Sequence, residues 1–164
     1  MQEPKPKYDL AFHGQHEIVV PIDRLWELLN TPEILAQCIR RCEAVERHSD
    51  SQFSACFRAR VGPVKKDFNA RLEIRDARPP HQYTLDSWMD AGMAGEFEGE
   101  ARVKLESLDP QTTRVEYAAV VIAGGWLGQL GSRLLRGTAE KYMSHFFSEL
   151  EALATRESDQ VGDR

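Results

Sequence analysis

No stretch of this 164-residue chain is apolar for long enough to cross a bilayer, and the opening MQEPKPK leads into polar sequence where a secretion signal would have an apolar core. A cytoplasmic protein is expected. Cysteine is scarce and odd in number: Cys38, Cys42 and Cys56 suit reduced, buried thiols better than a disulfide framework. Cys38 and Cys42 are spaced for one helical turn, but no second pair and no His cluster accompanies them, so no metal site is expected. An excess of positive charge is missing as well. The formal charge is −5 with acids and bases interspersed, which argues against nucleic acid as a partner. Catalytic signatures are also lacking: there is no Ser-His-Asp order, no HExxH and no glycine-rich phosphate loop. His145 has Ser144 and Phe146 beside it, which make no acid–base set, and Glu96, Glu98 and Glu100 alternate with Phe97 and Gly99 as a solvated strand face would. No repeat or linker divides the chain. One domain over residues 8–155 is expected, large enough to bury a core without staples, with a loose start at 1–7 and a polar tail at 156–164.

What the chain does have is periodicity. Tyr8 to Val20 alternates as a first strand, ended by Pro21. Ile22, Leu25, Trp26 and Leu29 then fall at helical spacing, and Thr31-Pro32-Glu33 restarts a second short helix carrying Ile34, Leu35 and Ile39. From there the period becomes two. Phe53, Ala55, Phe57, Ala59 and Val61 share one face of a strand, Gly62-Pro63 turns the chain, and Phe68, Ala70, Leu72 and Ile74 return antiparallel to it. Arg78-Pro79-Pro80 and Asp109-Pro110 bound further strands through Tyr83 to Ser87 and Phe97 to Leu105. The last strand, Thr113 to Ala123, is apolar on both faces from Ala118 onward and reads as buried on both sides.

The segment from Gly124 to Leu153 closes the pattern. Leu127, Leu130, Leu134, Thr138, Met143, Phe146, Phe147, Leu150 and Leu153 recur at steps of three and four, a broad apolar side for one long helix. The class is α+β: a strongly curved antiparallel sheet of about seven strands wrapped around a long C-terminal helix, with two short helices after the first strand. The inward face of the sheet mixes Phe53, Phe57, Phe68 and Phe97 with Ala55, Ala59, Ala70, Gly99, Ala101 and Ala119. Small side chains on a concave face leave a cavity unless the helix approaches closely enough to fill it. The candidate wall is Phe57, Phe68, Phe97, Tyr117, Ala119, Leu134, Thr138 and Met143. Gly124, Gly125, Gly128 and Gly131 read as a hinge at its edge.

Several segments together resemble the G-subunit family of carbon monoxide dehydrogenase, within the START and birch-pollen-allergen-like superfamily of helix-grip folds. They are Ile18 to Leu29 with its central Trp26, PEILAQCIRRCEAV at Pro32 to Val45, VGPVKKDFNARL at Val61 to Leu72, GMAGEFEGEARVKLE from Gly92, and LGQLGSRLLRGTAEKYMSHFF at Leu127 to Phe147. Where the family usually carries Pro-Gly between the two cysteines, this chain has Arg40-Arg41, so positive charge in place of a tight turn is expected there. The resemblance implies a helix-grip fold with an internal pocket for a hydrophobic molecule. It implies, further, a role beside a molybdenum-containing carbon monoxide dehydrogenase or related hydroxylase, with no covalent cofactor and an isoprenoid quinone or lipid as the bound molecule.

Contact with a membrane or partner would fall to folded features, because the ESDQVGDR tail has neither an amphipathic nor a basic pattern. Arg58, Arg60, Lys65 and Lys66 share one hairpin, Arg40 and Arg41 mark another corner, and Trp126 offers an apolar tip. These are the candidate docking residues for a peripheral position on the cytoplasmic membrane face. Two rival readings are a protein adaptor with a filled core and an enzyme on the same fold.

Overall fold

The computed structural model describes residues 8–162. Strand β1 (Tyr8–Ile18) is followed by helices α1 (Ile22–Leu29) and α2 (Pro32–Cys38), then by β2 (Cys42–Arg47), β3 (Gln52–Val61), β4 (Val64–Arg78), β5 (Gln82–Asp90), β6 (Glu96–Asp109) and β7 (Thr112–Gly124), and by helix α3 (Ser132–Gly162). The strands form one antiparallel seven-stranded sheet in the order β1-β7-β6-β5-β4-β3-β2. Strands β1 and β2 lie at opposite edges, so α1 and α2 carry the chain across the sheet, and each later strand adds beside its predecessor until β7 meets β1. This is the α+β, helix-grip arrangement expected from the sequence.

Three details differ from the periodic reading. Strand β2 is not visible in the sequence, because its exposed Glu43, Ala44, Glu46 and Arg47 hide any alternation. The outer face of β7 is open, not buried: Ala118 is exposed and Val120 is 51% exposed, because the helices lie against the inner face. The backbone of α3 runs on through Gly162, into the stretch from residue 156 that the sequence suggests is a tail, while residues 1–7 and 163–164 lie outside the described residues.

Buried apolar side chains gather in two clusters. One joins α1, β6, β7 and the later turns of α3 through Leu25, Leu28, Val103, Val115, Phe147 and Leu150. Trp26 packs against this cluster and meets Tyr83 edge-on, with ring centroids 5.4 Å apart. Thr113, fully buried, donates its hydroxyl to the Val20 carbonyl at 2.8 Å and ties the start of β7 to the β1–α1 junction. The other cluster joins the hairpins to the start of α3 through Leu10, Val61, Val64, Phe68, Ala123, Leu127 and Leu135.

The corner between β7 and α3 needs glycine for close approach at Gly125 and for backbone conformation at Gly125 and Gly131. A Cβ on Gly125 would stand 2.8 Å from the Gly95 Cα, and Gly125 and Gly131 hold φ of 67° and 91°. Leu127 is fully buried in a short 3-10 turn there, while Trp126 beside it is 44% exposed.

Candidate functional site

A cavity of about 280 Å³ lies between the sheet and α3. Its sheet side is built on alternation. Phe57 on β3 and Phe68 on β4 are register partners and stack with centroids 5.6 Å apart, and Phe97 on β6 continues the stack at 6.0 Å from Phe68. Ala55, Ala59, Ala70, Gly99 and Ala123 occupy further inward positions, and Leu10, Phe12, Met89 and Val121 extend that wall. Small residues beside stacked rings leave space that the rings cannot close. On α3, Leu135, Thr138, Ala139, Tyr142, Met143 and Phe146 face the same space at steps of three and four.

The burial pattern separates this from a filled core. Phe12, Phe57, Phe97, Met143 and Phe146 face inward yet remain only half-buried, whereas Phe68 is 1% exposed. Chemically the wall is almost wholly apolar. Its polar side chains are Ser87, Thr138, Tyr142 and Arg40, with no carboxylate, imidazole, thiol or amine among the described lining residues. Thr138 returns its hydroxyl to the Leu134 carbonyl at 3.0 Å, leaving Ser87 as a hydroxyl with no hydrogen bond to another described side chain or backbone group.

Of the wall residues expected from sequence, Phe57, Phe68, Phe97, Thr138 and Met143 are brought together, and Tyr117, Ala119 and Leu134 are not. Tyr117 is drawn into a stack with His16 at 6.2 Å and Phe147 at 5.6 Å, its ring lying over Gly14 of β1. Burial and the nearby Glu140 raise its phenol pKa. Ala119 lies on the inner face of β7 between that stack and Val121, where the cavity wall ends. Leu134 is 38% exposed and leans over Gly62: a Cβ added there would come within 2.8 Å of the Leu134 Cδ2. The helix restarts at Ser132 after the 3-10 turn, so the inward phase falls on Leu135. Leu135, Ala139, Tyr142 and Phe146 are wall residues that the sequence reading does not select. The same steps of three and four find them once the helix start is fixed.

The candidate docking residues divide in the same way. Arg40, Arg41, Arg58, Arg60 and Lys65 come together with Lys141 of α3 around one depression. Lys66, across from Ala59 in register, and Trp126, 44% exposed at the β7–α3 corner, stand outside it. The turn not expected at Arg40-Arg41 is formed: Cys42 donates its N–H to the Ile39 carbonyl at 3.3 Å, and Arg41 takes up φ of 55°. His145, weighed as a catalytic group, is not part of the cavity wall. No grouping of His, Cys, Asp and Glu that could hold a metal occurs among the described residues, and none of their helices is long and apolar enough to cross a membrane.

Comparison with known proteins agrees with this architecture. The family model of the carbon monoxide dehydrogenase G subunit (CoxG) matches residues 14–154. Among solved structures, a conserved protein from Geobacillus kaustophilus is similar at 26% identity and a TM-score of 0.84, covering 90% of this chain and 96% of that one. The Zhui aromatase/cyclase from Streptomyces sp. R1128 shares the fold at 14% identity and a TM-score of 0.68, with 92% of this chain and 96% of that one covered. A START superfamily protein from Mycobacterium smegmatis shares it at 12% identity and a TM-score of 0.68, with 89% and 97% covered. No curated protein sequence matches the chain.

Proposed function

The chain belongs to the CoxG family, named for the G subunit of carbon monoxide dehydrogenase, and from that premise we propose that it is a non-enzymatic carrier of an isoprenoid quinone or similar lipid. In this reading it docks on a molybdenum-type carbon monoxide dehydrogenase or related hydroxylase and connects that enzyme to the membrane quinone pool. The observation that supports it is the cavity itself, apolar on nearly every side and walled by a three-ring phenylalanine stack. Flat rings favour a flat guest, and Met89 and Met143 adapt readily to a flexible chain. At about 280 Å³ the space falls just under the ~300–1,000 Å³ usual for small-molecule pockets. A quinone ring and the start of its tail are the natural occupants, with the rest of the tail reaching beyond the wall.

The absence of an acid–base pair among the described wall residues favours carriage over turnover, because proton transfer needs a positioned group within hydrogen-bond reach of the substrate. The resemblance to an aromatase/cyclase concerns the fold alone. Titration of the full chain with short-tailed menaquinone and ubiquinone analogues tests the reading. Saturable binding that weakens when the cavity is filled by Ala139→Leu is the expected result. Binding that ignores that substitution, or no binding, sinks it.

A further inference from the structure

The cavity has a charged neighbour. Arg40, Ala59, Thr138 and Tyr142 line both the apolar space and the depression that gathers Arg41, Arg58, Arg60, Lys65 and Lys141, so the two are contiguous. We propose that the cavity takes an amphiphile with an anionic headgroup, a carboxylate or phosphate, its apolar chain inside and its headgroup among these cations. The proposal rests on the reading of the cavity as a lipid site and, among the lipids that reading allows, favours a charged one over a neutral quinone.

The charge pattern is the first argument. No carboxylate is among the described residues lining the depression, although the chain as a whole carries −5. Arg58 approaches Asp67 at 3.7 Å, and Arg60 donates Nε–H to the Gly62 carbonyl at 3.2 Å. Arg40, Arg41, Lys65 and Lys141 form no ion pair among the described residues. Cations held together without counter-charge repel one another, and a bound anion relieves that repulsion while gaining charge-assisted hydrogen bonds.

The backbone supplies the second argument. These side chains come from the α2–β2 corner, the β3–β4 hairpin and α3, which are brought together in the fold and not by sequence. Strand β2 ends its pairing at Cys42 opposite Phe57, which leaves the later part of β3 as an edge. Tyr142 covers that edge, its hydroxyl accepting the Arg60 N–H at 3.0 Å, and its ring stands at the boundary between apolar space and charge. Arg41 is held at φ of 55°, a left-handed conformation in which glycine is the ordinary residue. An arginine at such a position sets its charge at the rim against local backbone preference.

The test uses the purified full chain and calorimetric titration with dodecanoate, dodecyl phosphate, dodecanol and inorganic phosphate. Dodecanoate and dodecyl phosphate are expected to bind roughly tenfold or more tighter than dodecanol at low salt, an advantage that salt erodes. In Arg41→Gly combined with Lys141→Gln, the ratio of anionic to neutral affinity is expected to fall toward one. Arg41→Gly relieves the left-handed strain, so this variant folds at least as well at that corner. Equal affinity for dodecanoate and dodecanol, or a preference untouched by the variant, overturns the headgroup assignment and leaves an apolar carrier standing. Inorganic phosphate binding as tightly as dodecyl phosphate also overturns it, because the apolar chain would then contribute nothing. Failure of every dodecyl compound to bind overturns this inference, while the titration with quinone analogues decides the carrier reading separately.

Discussion

Ala139→Leu decides between a cavity and a filled core by the sign of a stability change. Ala139 sits on α3 in the cavity wall, between the turns that carry Leu135 and Met143. Leucine adds an isopropyl group directed into the empty space. At ~0.8 kcal/mol per buried methylene-sized group, its transfer from water contributes ~2 kcal/mol. Ordering the side chain opposes this by ~0.5–1 kcal/mol, and the difference in helix propensity is smaller still. A net gain of about 1–1.5 kcal/mol is expected for the ligand-free protein. For a domain of this size, that corresponds to a rise in melting temperature of about 2–6 °C. If α3 packed closely enough to fill the space, the same group would have to force its neighbours apart and the protein would lose about 1–3 kcal/mol. Calorimetric melting of the delipidated protein reads the sign. A drop in melting temperature without ligand present refutes the cavity and the carrier reading built on it.

Two further outcomes follow from the core around the site. Thr113→Val removes the hydroxyl that satisfies the buried Val20 carbonyl at 2.8 Å and is expected to cost about 1–3 kcal/mol, read as a shifted denaturant midpoint at unchanged slope. His16 stacks on Phe147 at 4.2 Å, and burial lowers its pKa below the ordinary 6.5, with Glu151 acting in the opposite sense. The unfolded chain therefore takes up this proton first as pH falls, so stability declines below pH 6.5 until native His16 is also protonated and is unaffected above it. His16→Gln is expected to flatten that part of the pH–stability curve; an unchanged slope would contradict the assignment.

The parts of the fold that are legible in sequence are those where burial on one face leaves a simple period. The alternation through Phe53 to Val61 and Phe68 to Ile74 suffices for β3 and β4, and the Phe-with-Ala mixture on that face points to the cavity without any geometry. Two kinds of feature are hidden. Strand β2 lies at a sheet edge with most of its side chains exposed, so it has no inward face long enough to show a pattern. The phase of α3 depends on the turn Leu127–Leu130 and on Gly131, whose φ of 91° breaks the run between two stretches that share an apolar period. Counting through that break puts Leu134 in the wall in place of Leu135. Tyr117 escapes for another reason: the period gives its strand face correctly, but its ring is claimed by His16 and Phe147, partners from distant parts of the chain. Arg40, a docking residue by sequence, belongs to both wall and rim, a double position that only the meeting of α2, β3 and α3 creates.

Native mass spectrometry of the full chain, before and after organic extraction and then after incubation with menaquinone analogues and with dodecanoate, bears most directly on the central claim that the space beneath α3 is a ligand site. One lipid molecule per chain is expected, removed by extraction, restored on incubation and bound more weakly in Ala139→Leu. A chain that keeps its ligand-free mass throughout, with and without that substitution, would contradict it.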